Sequence, residues 1–79
     1  MAFYIKIEKT VESDSTVRYS FESDRSRRGL LEIDKKTGEA LVIEPMPEDE
    51  GMHCFNRAAV KIIREWKQGR FPQHMEWAS

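Results

Sequence analysis

The groups in this chain able to carry acid–base, nucleophilic or metal chemistry are two histidines, one cysteine and fourteen Asp and Glu side chains. Their spacing works against each kind of chemistry. His53 and Cys54 are adjacent, and neighbouring side chains on a helix diverge by about 100°. A thiol nucleophile needs its base within hydrogen-bond reach. His74 meets that need only if the C-terminal tail folds back. The plainer reading puts Cys54 on the half-buried flank of a helix and His53 on the surface. Glu48, Asp49 and Glu50 are consecutive, whereas calcium loops alternate their ligands. The glycines are scattered and build no phosphate cradle. The expectation is a chain with no catalytic residue, no metal and no cofactor.

The charged groups are better suited to binding. Glu44, Glu48, Asp49 and Glu50 form the densest acidic segment. It reads in two ways. Acids at a helix N-terminus suit the positive end of the helix dipole, and an acidic surface also steers a basic partner. Arg57, Lys61 and Arg64 stand at i, i+4 and i+7, which is one stripe on a helix. Such a stripe is either a solvated back or a docking face. Arg25, Arg27 and Arg28 fill a polar loop beside a sheet whose outer face carries Tyr4. Basic residues near an exposed aromatic suit single-stranded nucleic acid, although the total charge of −1 lacks the basic excess of such domains.

Elements must position these groups, and the hydrophobic period supplies them. Phe3, Ile5 and Ile7 alternate with Tyr4, Lys6 and Glu8, as do Val17, Tyr19 and Phe21 with Arg18, Ser20 and Glu22. A period of two predicts strands, over about 2–11 and 16–22. Glu12-Ser13-Asp14-Ser15 is the turn between them. Leu30, Leu31 and Ile33 open a third strand. Asp34-Lys35-Lys36-Thr37-Gly38-Glu39 is a hairpin turn, with Asp34 as side-chain cap and Gly38 free to take positive φ. Leu41 and Ile43 continue the inner face in a fourth strand. Pro45 and Pro47 end the sheet.

From about Met52 to Gln68 the period becomes helical: Phe55, Ala58, Ala59, Ile62 and Trp66 share one face. Gly69 is placed to cap the helix, and Pro72 lies just beyond. Phe71, Met75 and Trp77 are apolar anchors that should fold the tail back. The expected architecture is one α+β domain over 1–79, a four-stranded antiparallel meander with a C-terminal helix on one face (ββββα). Its predicted core is Phe3, Ile5, Ile7, Val17, Tyr19, Phe21, Leu31, Ile33, Leu41 and Ile43 against Phe55, Ala59, Ile62 and Trp66. The other sheet face, with Lys6, Glu8, Arg18, Glu22, Glu32, Asp34 and Glu44, is left for solvent or a partner.

Composition narrows the class. Aromatic residues at 10% argue against disorder despite 34% charge. No apolar run reaches the roughly 20 residues of a membrane span, and the start lacks the basic and apolar regions of a secretory signal, so a cytoplasmic location is expected. One cysteine excludes an intramolecular disulfide. Split by position, residues 1–50 carry a balance of −4 and residues 51–79 one of +3. An acidic sheet half and a basic helix half are therefore expected.

Three resemblances follow. Gly29 to Glu39, preceded by Val17 to Phe21, looks like a cadherin hairpin in its Ile-Asp and Thr-Gly pairs, a shared turn grammar without that family's calcium-ligating motifs. The order of four strands and a helix is similar to the PUR repeat, which implies single-stranded nucleic-acid binding and dimerisation. The compact sheet-plus-helix build, the Glu48-Asp49-Glu50 cluster and the closing Gly69-Arg70-Phe71-Pro72 and Trp77-Ala78-Ser79 resemble small bacterial immunity proteins of contact-dependent inhibition. That resemblance implies a non-enzymatic partner of a cognate toxin domain, often a basic nuclease. A homodimer through the sheet edge or outer face is the third expectation.

Overall fold

The computed structural model describes residues 4–23 and 27–78. Phe3, assigned above to the core, and Arg25 lie outside them. Strands β1 (Tyr4–Glu12), β2 (Thr16–Ser23), β3 (Arg28–Asp34) and β4 (Ala40–Glu44) run as an antiparallel meander. A short 3-10 turn (Glu50–Met52) leads into helix α1 (His53–Trp66). A fifth strand, β5 (His74–Ala78), then pairs antiparallel with β1, giving the order β4-β3-β2-β1-β5.

The fold is thus α+β as expected, with five strands rather than four, and the helix is not its last element. The tail does fold back, and it does so as a strand. His74-Met75-Glu76-Trp77-Ala78 alternates exposed with more buried positions, and Met75 and Trp77 sit opposite Ile7 and Ile5 on the core side. Antiparallel addition covers the edge of β1 from Tyr4 to Glu8, whose amide and carbonyl groups would otherwise lack partners on that side.

The core lies between the sheet and α1. Ile5, Ile7, Val17, Tyr19, Phe21, Leu31, Ile33 and Ile62 are fully buried. Met46, Cys54, Ala58 and Met75 complete the cluster, with Phe55 and Phe71 packed against its side. Phe55 lies 6.2 Å from Phe21, ring to ring, in a tilted contact. The Tyr19 hydroxyl donates to the Pro72 carbonyl across 2.7 Å, which fastens the segment after the helix to the middle of the sheet. Burial raises the pKa of Tyr19, so its phenol stays a hydrogen-bond donor.

Three assigned core residues are not in it, the half-buried Trp66 at the end of α1 and two residues of β4. Leu41 is 55% exposed and Ile43 38%. The turn decides this. The Asp34 amide donates to the Glu39 carbonyl at 2.9 Å, and that closure sets Ala40 opposite Ile33 and Val42 opposite Leu31. Ala40 and Val42 therefore point toward the core, and Leu41 points away. A shift of one residue exchanges the two faces of a strand. Cys54 also departs from its half-buried assignment, since it joins the core.

Candidate interaction surface

The acidic segment divides into different roles once folded. Asp49 turns its carboxylate to the start of α1: the Cys54 amide donates to Oδ1 at 2.8 Å and the Phe55 amide to Oδ2 at 3.1 Å. These are the amides that a helix leaves without intrahelical partners, so Asp49 acts as the helix cap. Glu48 holds Arg27 in an ion pair at 2.6 Å. Glu50 is exposed in the 3-10 turn, and Glu44 is exposed at the end of β4. The helix-terminus reading therefore holds for Asp49, and Glu44, Glu48 and Glu50 face outward.

The basic stripe is also rotated from its expected place. The most exposed line of α1 runs through Asn56, Val60 and Arg64, with Val60 at 42%. Arg57 and Lys61 are half-buried along the flank. The Arg64 guanidinium lies 5.6 Å from the centre of the Trp77 ring, a cation–π contact that ties the helix to β5.

Of the groups read for nucleic acid, Arg27 and Tyr4 are engaged elsewhere. Arg27 belongs to the Glu48 pair, and Arg28 is exposed on β3. The Tyr4 hydroxyl donates to Glu76 Oε1 across 2.7 Å. That bond raises the phenol's pKa and lowers that of Glu76. A carboxylate beside the Tyr4 ring opposes a phosphate backbone.

Register brings together a face that no helix covers. One row across the sheet reads Glu44, Leu30, Ser20, Glu8 and His74; a second reads Arg28, Glu22, Lys6 and Glu76. A third holds Leu41, Glu32 and Arg18. Arg18 Nε donates to Glu32 at 2.9 Å, and Lys6 stands 3.4 Å from Glu8. His74 places its ring nitrogens 3.8 Å from Glu8 and 3.6 Å from Glu76. Glu8, Glu22, Glu32, Glu44 and Glu76 outnumber Lys6, Arg18 and Arg28. The surplus is acidic, while α1 carries Arg57, Lys61 and Arg64 on the other side. His74 and Glu76 were absent from the sequence-derived face. The period-two alternation of 74–78 was the available signal.

Near the β1–β2 turn, Glu12 joins Lys9 and Lys35, with both distances 2.7 Å. These two ammonium groups, Lys35 first, hold its carboxyl down at about 2. Among the described residues no group of three or more His, Cys, Asp or Glu side chains is arranged to hold a metal. No helix among them is long and apolar enough to cross a membrane. No family model, curated protein or solved structure matches the chain.

Proposed function

We propose that this chain is a non-enzymatic protein-binding module of the toxin-neutralising kind, acting in the cytoplasm on a basic protein domain. The observation that carries the reading is the helix-free sheet face, where five glutamates face three basic residues across neighbouring strands. Strands fix these charges in a rigid pattern, and a fixed complementary pattern raises association rate and selects partners. The resemblance to immunity proteins supports the same reading. Single-stranded nucleic acid is the competing occupant. The Arg27–Glu48 and Tyr4–Glu76 contacts weigh against it.

The test is co-expression with the toxin domain encoded beside this gene. Growth should be rescued, and the purified pair should bind one to one. Changing Glu22→Lys and Glu32→Lys together should slow association about 10-fold at low salt, with the difference shrinking as salt rises. Unchanged rescue and on-rate in this variant would overturn the sheet-face reading. Retention of a single-stranded oligonucleotide by the unaltered chain at low salt would move the function to nucleic acid.

A further inference from the structure

Strand β4 forms one border of the sheet, and among the described residues it pairs only with β3. Its ladder parity shows which backbone groups face outward. The Asp34 amide donates to the Glu39 carbonyl, so that pair is hydrogen-bonded. Hydrogen-bonded and non-hydrogen-bonded pairs alternate along antiparallel strands. Glu32–Leu41 is therefore hydrogen-bonded, and Ile33–Ala40 and Leu31–Val42 are not. The other side of β3 agrees. The Lys35 amide donates to the Ser15 carbonyl, a parity that turns Ile33 and Leu31 toward β2. Ala40 and Val42 consequently direct both N–H and C=O away from the sheet. Past Val42 the register shifts so that Glu44 faces Leu30, and Pro45 closes the open stretch.

The two borders of the sheet differ. On β5, His74 and Glu76 set polar groups beside the edge, a common guard against strand pairing. Ala40-Leu41-Val42-Ile43 carries no charge, and its Leu41 and Ile43 are exposed apolar residues. The main contacts of α1 are with β5, β2, β1 and β3, so the helix leaves β4 accessible.

We infer that β4 pairs antiparallel with β4 of a second copy about a two-fold axis at Leu41. The two outward residues are separated by one position. Only a register centred between them sets Ala40 of each copy opposite Val42 of the other, so that both pairs exchange their two N–H···O bonds. Centring on Val42 instead sets Ala40 opposite Glu44, whose backbone lies past the register shift. The Leu41-centred register makes Leu41 meet its own copy at a non-hydrogen-bonded position, where Cα atoms approach to about 4.5 Å. Glu39 stands opposite Ile43 of the other copy and Glu44 opposite Gly38, so no carboxylate stands directly opposite another. This self-complementarity selects a second copy over an unrelated strand.

The full chain tests this. Sedimentation velocity from low micromolar to submillimolar concentration should show the mass rising from 9.3 kDa toward twice that value. Leu41→Lys, at an exposed position, should leave the circular dichroism unchanged and keep the chain monomeric. Leu41→Cys should form a disulfide-linked dimer under mild oxidation, because its expected Cα separation lies within the roughly 4.4–6.8 Å that disulfides span. Ile43→Cys, out of register with its own copy, should not. A chain that stays monomeric at submillimolar concentration, or cross-linking at Ile43 equal to that at Leu41, would overturn the proposal.

Discussion

The ring of Trp66 lies against the bare α-carbon of Gly38: a Cβ built there would stand 2.7 Å from ring carbon Cζ3. The same indole donates its N–H to the Lys35 carbonyl across 2.7 Å. The last turn of α1 is thereby seated on the β3–β4 hairpin turn, far along the chain. That turn is in its own right held by Asp34, whose Oδ1 accepts from the amides of Lys36 and Thr37.

Gly38→Ala should accordingly be among the costly single substitutions here. Gly38 has φ of +78°, where a side chain costs about 1–2 kcal/mol, and the collision with Trp66 adds overpacking of about 1–3 kcal/mol. Gly69 shares the conformation, at +75°, but a Cβ added there would find nothing within 4 Å. Urea denaturation should show Gly38→Ala losing at least about twice as much stability as Gly69→Ala. Equal losses would mean that the Trp66 contact is loose.

Trp66→Phe keeps most of the apolar contact and removes the donor to Lys35. It leaves a carbonyl without its partner, so a loss of about 1–2 kcal/mol is expected in the same measurement.

Asp49→Ala should destabilise the chain by about 1 kcal/mol through loss of the helix cap. Far-ultraviolet dichroism on melting should show an earlier loss of helix. The variant also separates the two readings of the acidic segment. Stability should fall while the rate of binding a basic partner changes little, because the carboxylate is committed to Cys54 and Phe55.

Acid stability should carry the mark of Glu12. Its carboxyl is held at about 2 against an ordinary value of 4.5. A carboxylate with a depressed folded-state pKa contributes stability that is fully present above the unfolded value and is lost as pH falls through the folded one. The contribution of the Lys35 and Lys9 pairs should therefore fade between about pH 4.5 and pH 2. Glu12→Gln should flatten that part of the stability–pH curve. A high-salt series should shrink the difference between the two proteins, since all three groups are reached by solvent.

Much of the fold was legible because local rules were sufficient for it. Alternation along Ile5, Ile7, Val17, Tyr19 and Phe21 marked the inner face of two strands, and those residues are buried. The 3.6-residue period of Phe55, Ala59 and Ile62 marked the helix, and Gly69 ended it with positive φ. Apolar anchors in the tail marked a segment that folds back. Leu41 and Ile43 were misassigned for a physical reason: size and apolarity do not fix which face of a strand meets the core when the turn sets the register. The fifth strand was missed because pairing with β1 joins residues at opposite ends of the chain.

The sequence by itself determined the types of β1 to β4 and α1, the inner faces of β1 and β2, the hairpin at Asp34–Gly38 and the segregation of acidic and basic halves. Those properties depend on periods of two and 3.6 residues, on glycine and proline, and on charge order, all of which act over a few positions. Tertiary structure alone decided that Asp49 caps the helix, that Tyr4 meets Glu76, and that Arg64 rests on Trp77. It also decided that β4 and β5 are the two edges. Each of these is set by a long-range closure, and a charge or an open backbone group acquires its role only when that closure supplies or withholds its neighbour.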